Sequence, residues 1–195
     1  MAQPRRLVLA STSRYRKELL ARLALEFAVA APHVDERPLG GEAPAQTALR
    51  LATLKAQAVR AAHRDALIIG CDQVATSGGR ALGKPGDHAR AAQQLRALSG
   101  KSADFHTALA LLDAANGRLQ TEVVPCRVHF RQLDEARIER YLRREQPYDC
   151  AGSAKAEGLG IALIARIETE DPTSLIGLPL IALTAMLERA GLPVP

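Results

Sequence analysis

Three short groups of residues have the types and spacing to handle phosphate. The first is Ser11, Thr12 and Ser13, followed at once by Arg14, Arg16 and Lys17 in "LVLASTSRYRKELL". Ser13, or Ser11 one step earlier, is a sound N-cap, and Leu19, Leu20 and Leu23 give an apolar stripe, so a helix starts here. Cations in its first turn meet about +0.5 of a charge and cost a few tenths of a kcal/mol each. They make sense if an anion sits at the helix start, where unpaired N–H groups also point. The second group centres on Asp72, which closes the apolar run "ALIIGCD". Carboxylates at the C-terminal ends of sheet strands are where α/β folds place metals and bases, a turn cap being the plainer alternative. The third is Lys55, at the flank of a helical stripe, with Asp35 and Glu36 of "VDE". A lysine there either snorkels to solvent or binds a ligand, and the two acids either hold a metal or are solvated. Together the groups supply an anion cradle, two or three cations and two carboxylate groups. Those are the parts of metal-assisted phosphoryl chemistry.

Other chemistries find less support. "GGRALGK", Gly78–Lys84, fits the phosphate-cradling loop pattern, but Pro85 follows where a Ser or Thr hydroxyl is needed for magnesium. Its glycines also sit in a hairpin turn. No G-x-S-x-G elbow occurs. Cys126 and His129 form a lone C-x-x-H on a strand, where i and i+3 point to opposite faces. That spacing is poor for zinc, which needs four convergent ligands. The three cysteines, Cys71, Cys126 and Cys150, are odd in number and far apart, which reads as reduced thiols in the cytoplasm.

Composition sets the outer bounds. With 195 residues, 47% hydrophobic and 24% charged, the chain has the profile of an ordinary soluble globular protein. No apolar run approaches about 18 residues, so no membrane span is expected, and the N-terminal apolar run is too short for a signal peptide. The net charge of +5 favours anionic partners. Nucleic acid is the first candidate, yet aromatics are 3% and Trp is absent, so stacking platforms are scarce. The densest arginine run, on the helix Asp134–Glu145, alternates with glutamates and reads as a solvated, ion-paired face.

The elements that must position these residues alternate along the chain. Strand Leu7–Ala10 leads to helix Arg14–Leu23 and a short strand near Phe27–Ala30. A polar loop follows, then a helix from about Ala45 to Ala62 with a stripe at Leu51, Leu54, Ala58 and Ala61. Ala66–Asp72 reads as a buried strand, Ser77–Arg80 as a Gly-Gly hairpin turn and Asp87–Leu98 as a helix. Phe105–Leu112 and Leu119–Phe130 are strands joined by the Asn-Gly hairpin Ala115–Arg118. The helix Asp134–Glu145, the strand Gly160–Ile167 and a terminal helix after "GLP" complete the set. The sum is an α/β protein, a mixed twisted sheet with flanking helices and two lobes around a cleft, read as one domain over 1–195.

"LVLASTSRYRKELL", "VDE", Lys55–Ala56, "IIGCDQV", "GKP", "CAGSAKAEGLG" and "DPTSLIGLPL" fall in the order and approximate spacing of the Maf family of nucleoside triphosphate pyrophosphatases. The chain resembles that family from Leu7 to about Leu187, and among its branches is most similar to the 7-methyl-GTP pyrophosphatases. The resemblance implies a Maf/Ham1-like fold with a nucleotide-binding cleft, and hydrolysis between the α and β phosphates with a divalent cation (Mg, Mn or Co). It implies Asp72 as general base, Ser11, Ser13, Arg16, Lys55 and Lys84 as triphosphate contacts, and Glu36 with Asp72 at the metal. It also implies a cytoplasmic protein, often a homodimer, that removes modified nucleotides. Family members often carry Pro and then Arg or Trp after the serines; here the pair is Arg14 and Tyr15. Base selection falls to Tyr15, Gln73 and Glu157. A 7-methylguanine ring is cationic and keeps its N1–H and amine donors, so it suits a carboxylate and an aromatic face. The alternatives are a pyrophosphatase for dTTP or UTP, and a basic nucleic-acid-binding module with a steep salt dependence and no turnover.

Overall fold

The computed structural model describes residues 5–194. Its elements, in chain order, are β1 (Arg6–Ala10), α1 (Arg14–Ala21), β2 (Phe27–Ala30), α2 (Pro44–Ala58), β3 (Ala66–Ser77), β4 (Arg80–Leu82), α3 (His88–Leu98), β5 (Ser102–Asp113), β6 (Leu119–Phe130), α4 (Glu135–Glu145), β7 (Ile164–Glu168) and α5 (Leu180–Arg189). The seven strands form one mixed sheet in the order β2-β1-β3-β5-β6-β7, with β4 paired to β3. The chain divides into two compact units, residues 1–73, 106–124 and 171–195, and residues 74–105 and 125–170.

In the first unit β1 pairs in parallel with both β2 and β3, Ala10 standing opposite Ala30 on one side and Gly70 on the other. The chain thus steps from β1 to one neighbour and then crosses to the other. Right-handed crossovers in opposite directions put α1 and α2 on opposite faces of the sheet. The core shows that division. Leu7, Leu9, Leu67 and Ile69 pack with Leu19 and Leu20 of α1 and with Leu183, Met186 and Leu187 of α5. On the other face, a Cβ on Gly70 would lie 2.0 Å from the Ala52 carbonyl oxygen and 2.8 Å from the Ala56 nitrogen. Only glycine lets the α2 backbone come that close.

Contact with the strand also settles the register of α2. Its buried residues are Thr47, Ala48, Leu51, Ala52, Lys55 and Ala56, while Leu54 and Ala58 are exposed. The expected stripe was therefore rotated, and Lys55 lies on the buried face instead of at its flank. The helix also ends at Ala58, with residues 60–62 in a 3-10 turn. Strand β3 likewise runs on to Ser77; its pairing with β1 ends at Gly70, and Asp72 lies two residues beyond, inside the strand.

In the second unit, α3 and α4 contribute Leu95, Leu98, Ile138 and Leu142 to buried positions. The Gly78–Gly79 turn joins β3 to β4 with both φ angles positive, as its sequence implied. Arg143–Glu139 and Arg96–Glu135 pair on the outer face of α4, the solvated, ion-paired surface expected there. One element differs: residues 159–163 are a 3-10 turn, and strand β7 begins only at Ile164. A Cβ on Gly160 would fall 2.5 Å from the Lys155 backbone, so this glycine marks a tight fold of the chain rather than a strand interior.

Candidate active site

Alternation along β3 divides its side chains between the two faces of the sheet. Asp72 shares the Gly70 face and points toward α2; Cys71 and Gln73 alternate with it, Cys71 toward the α1–α5 core. On the α2 face, Lys55 Nζ lies 2.5 Å from Asp72 Oδ1 and 2.9 Å from Glu36 Oε1. Lys55 is 4% exposed and Asp72 7%, so the ammonium is buried between its acids and does not snorkel to solvent. Glu36 is more exposed and reaches in from the loop after β2. That loop is tied to α2 by Glu42. Its carboxylate accepts from Arg50 Nε at 2.6 Å, Arg50 Nη2 at 2.8 Å and Thr47 Oγ1 at 3.0 Å. The Arg50 guanidinium above all pulls the Glu42 carboxyl down to about 2, against the lesser upward pull of burial.

The serine turn lies just past β1. Ser11 Oγ accepts from Ser13 N–H at 3.1 Å, and Ser13 Oγ caps α1 by accepting from Arg16 N–H at 3.4 Å. Arg16 folds back over the turn. Its Nε donates to the Gly177 carbonyl at 2.9 Å, and Nη1 lies 3.5 Å from Ser11 Oγ. Gly177 O accepts from Cys71 Sγ as well, at 3.0 Å. Burial is the main cause that holds the Cys71 thiol above its ordinary pKa, so it is an inert hydrogen-bond donor rather than a nucleophile.

Ser11, Ser13 and Arg16 thus stand with Lys55, Asp72 and Glu36 around the C-terminal end of β1, where the strand order reverses. Open α/β sheets bind ligands in the crevice at such a switch point. The arrangement offers an anion several donors on one side and a carboxylate pair bridged by a cation on the other.

The remaining expected residues stand elsewhere. Gln73 is half-buried and anchored: its Nε2 donates to Thr107 Oγ1, Ser174 O and Leu175 O. Tyr15 carries the Arg14 guanidinium 4.7 Å above its ring centroid, so one aromatic face is already taken by a cation. Lys84 and Glu157 belong to the second unit. Lys84 is exposed in the loop between β4 and α3, and Glu157 is exposed in a turn.

Two supports escaped the sequence reading. Asp171, 2% exposed, accepts from Thr173 N–H and Oγ1 with Oδ1 and from Ile181 N–H with Oδ2, which knots the segment before α5. That segment presents the carbonyls of Ser174, Leu175 and Gly177 to Gln73, Arg16 and Cys71. An Asp two residues before a Thr is a turn signal that could have located the knot. Thr107, inside the apolar strand β5, carries no comparable signal.

Comparison with known proteins gives the wider setting. The family model described as Maf-like protein matches residues 6–190. A protein of Thiobacillus denitrificans named 7-methyl-GTP pyrophosphatase is 62% identical over 188 residues, covering 96% of this chain and 94% of its own. One of the same name from Cupriavidus pinatubonensis is 58% identical, with the same coverage of 96% and 94%. Among solved structures, a HAM1 protein from Coxiella burnetii is similar over 65% of this chain and 73% of its own, at 20% identity and a TM-score of 0.44.

Proposed function

Because the chain belongs to the Maf family, we propose that its site hydrolyses a nucleoside triphosphate between the α and β phosphates. The substrate is 7-methyl-GTP, as in the names of the relatives that it matches over nearly its whole length, and the products are 7-methyl-GMP and pyrophosphate. The observation that carries this reading is the buried Lys55–Asp72 pair, joined by the exposed Glu36, at the strand ends that also carry the serine turn and Arg16.

Each group has a role that its surroundings support. Asp72 spends Oδ1 on Lys55, and among the described residues no hydrogen bond takes Oδ2. Oδ2 is the atom that takes the proton of the attacking water. The water oxygen bonds to the α or the β phosphorus, the bridging P–O bond to that phosphorus breaks, and the other fragment, pyrophosphate or 7-methyl-GMP respectively, leaves with the electron pair. Lys55 orients Asp72 through its 2.5 Å contact and faces the charge that builds on the phosphates. Arg16 has Nε on Gly177 and Nη1 toward Ser11, so its guanidinium faces the serine turn, where it would meet a phosphate oxygen. Ser13 and Ser11 add hydroxyl and backbone donors at the start of α1. Within the first unit, Tyr15 and Gln73 are the residues that select the base.

A divalent cation suits this donor set. Asp72 and Glu36 are hard oxygen ligands, and one or two carboxylates completed by substrate phosphates is the pattern that Mg²⁺ favours. No group of three His, Cys, Asp or Glu suited to a metal occurs among the described residues, so the substrate must share in binding it. When bound, the ion would neutralise phosphate charge and polarise the bond to be cleaved.

Pyrophosphate release from a nucleotide panel with magnesium, with and without EDTA, tests the reading. Turnover of 7-methyl-GTP well above GTP, dTTP and UTP, abolished by EDTA, is expected. Equal rates for dTTP or UTP would overturn the substrate. Salt-sensitive polynucleotide binding without any turnover would favour a nucleic-acid module.

A further inference from the structure

Gln73 is held by an unusual surplus of acceptors. Its amide nitrogen carries two hydrogens, yet Thr107 Oγ1 lies 2.8 Å away, the Ser174 carbonyl 2.9 Å and the Leu175 carbonyl 3.2 Å. Two of these are main-chain oxygens, which can only accept. Thr107 could in principle donate instead, but its hydroxyl hydrogen is spent on Ser174 O at 2.9 Å, so only a lone pair faces Gln73. Thr107 and Ser174 are both fully buried, and no water can take over their roles. Turning the amide over would set its oxygen against two carbonyl oxygens and a hydroxyl lone pair. Buried polar groups left facing one another in that way have no water to satisfy them.

We infer that Thr107 is a positioning residue for base selection: by donating to the Ser174 carbonyl it holds in place the main-chain acceptors that, with Leu175 O, fix the polarity of the Gln73 amide, so that the substrate meets Oε1, an acceptor, and never the NH₂. This rests on the proposed reading that Gln73 faces the base. A glutamine with a loose amide can present either group, and it tolerates donor and acceptor edges alike. A locked one accepts only. It favours a base that offers N–H groups side by side, as the N1–H and exocyclic amine of a 7-methylguanine do. It opposes a pyrimidine edge, in which a single N–H stands between two carbonyl oxygens. The hydrogen-bond relay Gln73 → Thr107 → Ser174 O thus converts a neutral, two-sided side chain into a one-sided reader.

The test compares Thr107→Val, which keeps the shape and removes the hydroxyl, with Thr107→Ser, which restores it. The measured quantity is the ratio of kcat/KM for 7-methyl-GTP to that for UTP. Thr107→Val should lower this ratio about tenfold, the worth of one net hydrogen bond of about 1.4 kcal/mol, and Thr107→Ser should return most of it. In NMR spectra the Gln73 side-chain NH₂ should be slow to exchange in the parent and in Thr107→Ser, and fast or doubled in Thr107→Val. A merely structural threonine would shift the melting temperature of Thr107→Val and leave ratio and amide signals as they were; that result overturns the lock. Gln73→Ala separates the two layers. If it erodes the ratio while Thr107→Val does not, the lock falls alone. If Gln73→Ala leaves the ratio unchanged, the substrate-facing reading of Gln73 falls and takes the inference with it.

Discussion

Asp72 and Lys55 make the pair on which the site turns, and each can be removed separately. Asp72→Asn keeps the shape but cannot take a proton, so kcat should fall by about 10²–10⁴ while nucleotide binding persists. Near-parental kcat in that variant would dismiss Asp72 as the base. Lys55→Ala removes the ammonium that bridges Asp72 and Glu36 at 2.5 and 2.9 Å. Stranding a buried charge costs about 3–5 kcal/mol, so thermal denaturation should reveal a lower melting temperature together with a loss of kcat/KM. Loss of stability with full activity would reduce Lys55 to a structural role. Asp72 stood out in the sequence because it closes the apolar run "LIIGC", with a turn cap as the plainer alternative, and the strand in fact continues past it. The position of Lys55 was not legible there. Helix α2 mixes small alanines around its whole circumference, so two different stripes fit the pattern, and the strand contact at Gly70 chose between them. Lys84 and Glu157 were named from sequence too, but neither is fixed by a local partner that would betray its aim.

Among the elements, α2 is placed by two unrelated devices, and both are open to measurement. Gly70→Ala would drive a methyl group into the Ala52 carbonyl, 2.0 Å away. The helix must lift, at a cost of roughly 1–3 kcal/mol, and Lys55 must lift with it. Calorimetry and turnover should therefore decline together, and an unperturbed kcat in Gly70→Ala would show that the approach of α2 does not set the site. The second device is the Glu42–Arg50 pair. Glu42 titrates at about 2 in the folded protein against an ordinary 4.5. A depressed carboxyl stabilises the fold above the unfolded value and loses that contribution as pH falls from about 4.5 through 2. Glu42→Gln should flatten this part of the acid-denaturation curve; an unchanged curve would mean the pair is inconsequential. Hairpins, caps and most helix limits were readable because turn chemistry is local. Residues 159–163 misled because an apolar run with glycine fits a strand as well as a tight 3-10 turn, and only packing against Lys155 decides.

At the scale of the whole molecule, a +5 chain with Arg14, Arg16 and Lys17 at the start of α1 should bind a polyanion more weakly in salt. The KM for the triphosphate is expected to rise with ionic strength while kcat stays level. A salt-independent KM would argue that direct, desolvated contacts dominate. The alternation of elements predicted a mixed sheet, and the family model spans nearly the same residues as the motifs. What no pattern could convey was which backbone carbonyls would serve side chains, because a carbonyl has no letter in the sequence. Gly177 O, shared by Arg16 and Cys71, is such a case.

Lys55 gives the two acids of the site a counter-charge of their own. Their mutual repulsion is relieved by the polypeptide itself, so folding need not wait for a divalent ion. EDTA should then abolish turnover yet leave the melting temperature where it was, and a large drop would contradict this. On the proposed metal requirement, a cell starved of the ion would keep the protein at its usual abundance in a silent form, ready to resume work when supply returns without new synthesis.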